Sequence, residues 1–336
     1  MPCAESWDDI ALYGRNKLPW LKTFPDLPNG IPSHDTLRRV FMLIDPVTFK
    51  AAFLSWVGTL VRDFDREVVA IEGKTVRRSF DPGREQNPLH LVSAWASEQG
   101  LVLGQCCVDS KSNEITAIPA LLEQLVVKNS IVTLDAMRCQ TSIAQKILDQ
   151  GADYLLALKG NHRQAHQAVD KYFTSACEDR GKAGRAVLDE FDDGHGRLVR
   201  RRVFVSTGAA ALEALSCWPG LHAVLGVETI RSINGTAKTV AEWRYYLTGG
   251  HDSPELLAGA IRKHWTIENN LHWVLDATFR EDDSRVRDRI AVRNLAVLRK
   301  IALNLISRDQ ASKTSKRGRR KRAAWNDNYM LRLLRI

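Results

Sequence analysis

The chain has 336 residues, 48 Lys and Arg against 39 Asp and Glu, and a net charge of +9 with a pI near 9.3, a balance that favours a polyanionic partner. No stretch is long and apolar enough to span a bilayer, and Met1 to Ile10 carries three acids and no basic run, which excludes a secretion signal and implies a cytoplasmic protein. Cys3, Cys106, Cys107, Cys139, Cys177 and Cys217 show no Cys-x-x-Cys spacing, which excludes a zinc ribbon and a disulfide framework.

The first sixty residues read as helices. Ser33 can cap one through Leu43, and Asp45-Pro46 opens another through Leu60. His34, Arg38 and Arg39 make this region a candidate for reading nucleic acid, and packing against the rest of the chain is the alternative. Glu67 to Glu72, EVVAIE, is a short apolar β-branched run closed by an acid and Gly73, so it predicts a buried strand with Glu72 at its mouth. Gly73-Lys74-Thr75 resembles the end of a phosphate-binding loop, but the glycine required five residues earlier is Val68. Lys74, Arg77 and Arg78 are candidates for phosphate contacts, with a solvated basic loop as the equal alternative.

Leu89 to Trp95 and Leu101 to Val108 flank Gln99-Gly100 as a hairpin, and Ala117 to Leu125 predicts a helix. Ser130 to Asp135, SIVTLD, repeats the strand that ends in an acid. Thr141 to Gln150 predicts a helix stopped by Gly151, and Tyr154 to Leu158 a strand before Lys159-Gly160-Asn161. Three strands, helix, strand, helix, strand is the order of an RNase H-like fold, an α/β class with a mixed sheet flanked by helices.

Leu198 to Val205, Ala223 to Ile230 and Trp243 to Thr248 then predict an inserted β-rich subdomain. Asp192 to Arg197, DDGHGR, places His beside Asp, yet no serine or cysteine nucleophile motif accompanies it, and a glycine-rich turn is expected. Arg197 and Arg200 to Arg202 project from this insertion, either toward nucleic acid or into solvent.

Ile261 to Arg285 holds the densest set of polar and aromatic groups. Ile261, Trp265, Leu271, Val274 and Leu275 fall at helical spacing, and His264, Glu268, His272 and Asp276 recur every four residues beside them. A zinc ion held by both histidines is excluded, because eight residues of helix separate them by roughly 12 Å. Glu268 is the better metal ligand, with His264, His272 and Asp276 in support; a buried helix with backbone-bonded histidines is the alternative. Acids at rigid strand ends hold hard cations well, so Glu72, Asp135 and Glu268 form a candidate triad. Lys313 to Arg322, KTSKRGRRKR, has seven basic residues in ten and predicts a flexible linker or tail segment that attracts phosphates, with a solubilising run as the alternative.

The strings SWDDIALYGR, LPNGIPSHDTLRRVF, AIEGKTVRRS, HLVSAWASEQGLVLGQ, KSNEITAIPALLEQL, TLDAM, GADYLLALKGN, DDGHGR and HWTIENNLHWVLDATFREDDSR, in this order, resemble the DDE transposases of bacterial insertion sequences, specifically the H-repeat-associated type. The resemblance covers nearly the whole chain. It implies an N-terminal helical region over 1–62, an RNase H-like core over 63–162 and 253–310, a β-rich insertion over 163–252 before the last catalytic helix, and a basic tail over 311–336. It implies two divalent ions, Mg2+ or Mn2+, on three carboxylates, with Asp135 of TLDAM as the second acid and Glu268 of HWTIEN as the third. The first acid's position holds Glu72, where the family usually has Ile-Asp-Gly-Lys, so a weakened or inactive DNA-binding remnant, or a plain nuclease, stands beside the active enzyme. The activity implied is strand cleavage at element ends and attack of the freed 3′-hydroxyl on target DNA. Double-stranded DNA and a second copy of the chain are the implied partners, with no membrane and no small-molecule substrate, in a nucleoid-associated location. Lys159, Asn161 and Arg262 are candidates for positioning DNA, and Arg317, Arg319 and Arg320 for holding its backbone. The opening helices usual in the family do not precede SWDDIALYGR, which implies a truncated or late start.

Overall fold

The computed structural model describes residues 5–108, 114–178, 186–194, 197–233 and 239–334. In chain order the helices and strands are α1 (Trp7–Asn16), α2 (Leu18–Leu21), α3 (His34–Leu43), α4 (Pro46–Gly58), β1 (Val68–Val76), β2 (Leu89–Ala96), β3 (Leu101–Val108), α5 (Glu114–Leu122), β4 (Ile131–Leu134), α6 (Thr141–Asp149), β5 (Asp153–Leu158), α7 (Arg163–Glu178), β6 (Leu188–Gly194), β7 (Arg197–Ser206), β8 (Ala223–Ile233) and β9 (Thr239–Thr248). After these come α8 (Pro254–His264), a π-helical turn (Glu268–His272), α9 (Trp273–Ala277), α10 (Arg289–Arg308), α11 (Lys316–Trp325) and α12 (Asp327–Leu334). The strands form a mixed sheet in the order β3-β2-β1-β4-β5-β9-β8-β7-β6, with helices flanking it. Its β3-β2-β1-β4-β5 part has the strand order of an RNase H-like fold, the fold class that the element order along the chain predicts. The chain divides into two compact units, one of Asp63–Glu72 and Val126–Thr266, the other of Met1–Arg62, Gly73–Leu125 and Ile267–Ile336, so β1 belongs to the first through Glu72 and to the second from Gly73.

In the first unit, β1 pairs in parallel with β4 from Val68↔Ile131 to Ile71↔Leu134, and β4 with β5 from Ile131↔Asp153 to Leu134↔Leu156. β5 then pairs antiparallel with β9, and β9, β8, β7 and β6 follow as antiparallel neighbours. The parallel strands are continuous apolar runs because helices cover them. α8 packs over β4 and β5, starting where Ser253 Oγ accepts from Leu256 N and Pro254 fills the first turn. Val68, Ile131, Leu155, Val203, Leu225, Leu257 and Ile261 close the core beneath it. The insertion opens with a 16-residue helix that the β-rich expectation leaves out. Ala165, Val169 and Phe173, one turn apart, form the buried stripe of α7, and Phe173 stacks on Tyr245 of β9 with centroids 5.7 Å apart.

In the second unit, two buried asparagines key the central helix α10. Asn294 Nδ2 donates to the carbonyls of Phe41 and Ile44, 2.9 Å each, tying α10 to the α3–α4 corner. Asn304 accepts from Val102 N at 2.8 Å and donates to Val102 O at 3.0 Å, supplying β3 with the ladder partner its outer edge lacks. Ser33 and Asp45 cap α3 and α4 as the sequence predicts. The basic run is not a flexible tail: Lys316 to Trp325 is helical, with Arg320 buried. Its local reason is plain, since Ser315 caps the helix and Ala323, Ala324, Tyr329 and Leu333 give it and α12 an apolar face.

Cys106, Cys107, Cys139 and Cys217 are free thiols; Cys3, the side chain of Cys177, and His195 with Gly196 lie outside the described residues. Among the described residues no single helix is long and apolar enough to cross a membrane.

Candidate active site

Parallel register decides where the first two acids stand. Ile71 pairs with Leu134, so Glu72 and Asp135 are the next residues on adjacent parallel strands, whose spacing is about 4.8 Å. β4 ends there: Asp135 is extended at φ −71° and ψ 162°, and a short 3-10 turn, Ala136–Arg138, leads away. Glu72 differs from expectation, because β1 runs on through Gly73 to Val76 and the acid sits inside the strand rather than at its mouth. Gly73 is there for close approach instead of a stop. A Cβ on it would stand 2.6 Å from His90 Nε2 and closer still to Glu114 Oε1.

The residues around Asp135 come from β5 and α8. Lys159 Nζ lies 3.4 Å from Asp135 Oδ1, and Asn161 Nδ2 donates to Ala136 O at 2.9 Å, so Asn161 fixes the loop that leaves the acid. His264 Nδ1 meets Thr133 Oγ1 at 2.8 Å. Asp135, His264, Trp265 and Tyr246 line a small cavity of about 20 Å³. A second cavity of about 110 Å³ shares Tyr246, Ile261 and Trp265 with it and adds Arg201, Arg231, Arg244 and Arg262. Arg262 pairs with Glu190, while Arg231 and Arg244 share Glu242. Arg201 has no carboxylate partner among the described residues, and Trp265 is 48 % exposed. The basic character of Arg231 and Arg244 is visible in the sequence, but only strand register sets them beside Arg201: Arg201 faces Thr229, and Thr229 faces Glu242.

The other unit carries Glu268. The helical pattern predicted over Ile261 to Arg285 breaks into α8, a turn at Trp265, the π turn and α9. Glu268 begins the π turn and His272 ends it, with His272 Nδ1 3.4 Å from Glu268 Oε2. π-helical turns interrupt α-helices chiefly at functional positions. His272 is buried, and burial pushes its pKa down to about 4 against the pull of Glu268, with Lys300 and Lys74 adding to the fall; the imidazole is neutral at pH 7.

The remaining candidates separate by what already holds them. Lys74 Nζ lies 2.8 Å from Asp276, 3.0 Å from Asp282 and 3.3 Å from Glu281, and is 10 % exposed. Burial opposes its charge, but Glu281 and Asp276 outweigh it and raise the pKa above the ordinary lysine value. Arg77 and Arg78, both more than half exposed, pair loosely with Asp282 and Asp283 at 3.3 and 4.0 Å. Arg319 donates to the carbonyls of Ile306, Ser312 and Thr314, and Arg320 to that of Thr278, so both hold the C-terminal helices in place. Arg317 is exposed and makes no such bond among the described residues. Arg197 starts β7, and its side chain lies outside the described residues.

The family description "Transposase DDE domain" matches residues 56–305, and the domain described as associated with it matches residues 2–57. The chain belongs to the DDE transposase family. It is similar, at 37 % identity over 98 % of this chain and 88 % of the relative, to the "H repeat-associated putative transposase YhhI" of Escherichia coli strain K12. A second relative from that strain, the protein YbfL, is 38 % identical over the same shares of the two chains. Among solved structures, a piggyBac transposase synaptic complex with hairpin DNA aligns with 98 % of this chain and 73 % of its own at 9 % identity, with a TM-score of 0.43. Transposases of the DDE family use divalent metal ions. For this transposase the donors that suit such an ion are carboxylates, and Asp135 and Glu268 carry no arginine partner among the described residues.

Proposed function

We propose that this transposase cleaves DNA strands at the ends of a mobile element and joins the freed 3′-hydroxyl to target DNA. Glu72, Asp135 and Glu268 act together as its three acids. The observation that carries this reading is the Ile71↔Leu134 pairing, which sets two of those acids side by side on rigid neighbouring strands. Mg2+ or Mn2+, two ions, would be held by the three carboxylates and supply an activated water or 3′-hydroxyl and a stabilised leaving oxygen. The Lys159 ammonium lies 3.4 Å from Asp135, and Asn161 holds the loop after the acid against rotation. Arg201 offers its guanidinium group to a phosphate of double-stranded DNA, Arg262 does so on leaving Glu190, and the chain works as a homo-oligomer on paired ends.

Glu72 decides between an active enzyme and a weakened one. A glutamate adds a methylene where magnesium demands near-ideal donor positions. The test is cleavage of DNA carrying the element's own ends, in Mg2+ and in Mn2+, by the wild type and by Glu72→Asp, Asp135→Asn and Glu268→Gln. The last two variants should lose at least about a hundredfold in rate, roughly 2.7 kcal/mol of transition-state stabilisation. Activity only in Glu72→Asp marks a copy disabled at its first acid and acting by binding DNA alone. Unchanged cleavage in Asp135→Asn or Glu268→Gln overturns the triad.

A further inference from the structure

The π turn brings an imidazole to Glu268 with only a long contact between them. A histidine kept for packing makes at least one good hydrogen bond when buried. His272 is 6 % exposed, and its Nδ1 lies 3.4 Å from Glu268 Oε2, beyond the usual 2.7–3.2 Å of an N–H···O bond. Its Nε2 is buried and meets no partner among the described residues. The 3.4 Å separation has another meaning. Two donors each roughly 2.1 Å from one ion stand about 3.0 Å apart at neighbouring corners of an octahedron and about 3.4 Å apart in a tetrahedron. The spacing of the two side chains is one that two ligands to a shared cation can adopt after a small approach.

We propose that His272 is a nitrogen ligand to a divalent ion that it shares with Glu268. The idea rests on Glu268 being a metal ligand. Local backbone supports it: the five-residue π turn, Glu268–His272, carries both donors, so the segment that supplies the acid also supplies the imidazole. Lys316 Nζ donates to Asn270 O at 3.0 Å in the middle of that turn, and Arg320 donates to Thr278 O just past α9, so α11 braces the segment from outside. A site built to exclude solvent on one side and present two fixed donors on the other is pre-organised for coordination.

The nitrogen has a consequence for selectivity. Magnesium takes oxygen donors and keeps its waters, whereas imidazole suits first-row transition ions, whose affinities rise along the series from Mn2+. His272 thus turns an all-oxygen site into one that binds Mn2+ in preference to Mg2+. His264, the other histidine of this stretch, is engaged by Thr133 Oγ1 at 2.8 Å and plays no such part.

Pulsed electron paramagnetic resonance on the full chain, without a histidine tag and with Mn2+ alone as the probe, tests this. Wild type should show the 14N modulation of a directly bound imidazole, retained in His264→Gln and lost in His272→Gln. Equilibrium titration should show Mn2+ binding weakened at least about tenfold in His272→Gln, with Mg2+ binding changed far less. Should His272→Gln fail to fold, the same comparison is made with His272→Asn. Mn2+ binding that Glu268→Gln abolishes, but without 14N modulation in wild type, overturns the imidazole ligand and leaves the carboxylate reading in place. A 14N signal that survives in His272→Gln overturns it equally. Mn2+ binding indifferent to Glu268→Gln removes Glu268 as a ligand, and with it both readings.

Discussion

Two lysines show how far a buried ammonium depends on its neighbours. Lys74 is surrounded by Asp276, Glu281 and Asp282, and holds its proton more tightly than an ordinary lysine. Lys300 is fully buried, and its ammonium donates to Gln105 Oε1, a neutral acceptor; burial pushes its pKa down to about 8 although Glu281 pulls it up. The sign of the stability effect follows. Between about pH 8 and 10.5 the unfolded chain keeps this proton and the folded chain releases it, so the Lys300 contribution to stability rises with pH across that window and is least favourable below it. Lys300→Met removes the contribution. Urea unfolding of the two proteins at pH 7 and pH 9.5 should show wild type gaining on the variant by more than about 1 kcal/mol between the two conditions. A constant difference would mean that Lys300 keeps its proton inside the fold across this range, its pKa not lowered by burial. Lys74 illustrates the limit of sequence reading at this scale. Its position after Gly73 marks it as basic and close to an acid, but the three carboxylates that hold it come from residues 276–282, two hundred positions away.

At the scale of elements, the strands were legible because each is an apolar β-branched run bounded by turn residues, and Glu72 and Asp135 were legible because an acid closing such a run is conspicuous. Gly73 was misread as a terminator. Its role is to let His90 and Glu114 approach β1, and that requirement comes from distant chain rather than local propensity. α7 was missed although Ala165, Val169 and Phe173 recur every four residues, because the strongly polar positions between them dilute the pattern. The packing shows what that stripe does. Phe173 is fully buried against Tyr245, and Gly226 of β8 makes room for it, since a Cβ there would stand 2.9 Å from the ring. Phe173→Ala should destabilise the protein by about 3–5 kcal/mol in chemical denaturation, because β8 and β9 cannot collapse onto the cavity. A loss below about 1 kcal/mol would show that α7 is not anchored through this ring. The π turn had no signature in the sequence at all. Its helical spacing of His264, Glu268, His272 and Asp276 reads as one continuous helix, and the inserted residue appears only in the backbone.

Over the whole molecule the excess of nine positive charges is less informative than which cations are still available. Arg299, Lys300 and Arg320 are buried, and Lys74 and Arg319 are engaged by carboxylates and carbonyls, so they add to the charge count without offering a group to DNA. Composition could not make that distinction; the run KTSKRGRRKR looked uniformly available. Folded as α11, it alternates. Arg320 turns inward to Thr278 O, whereas Arg317 and Lys321 are exposed and bond to none of the described residues. Phosphate contacts release counterions, and each contact adds about 0.9 to the steepness with which log affinity falls against log salt on duplex DNA. If α11 lies against the backbone of bound DNA, replacing Arg317 and Lys321 together by glutamine should flatten that slope by roughly 1.8, equally on element ends and on unrelated duplex. Arg320→Gln should leave the slope alone and lower the unfolding midpoint instead, because it strips the Thr278 carbonyl of its donor inside the fold. An unchanged slope in the double variant would place the DNA elsewhere and make the surface charge of α11 a matter of solubility. A slope that flattens only in Arg320→Gln would mean that the helix undocks to bind.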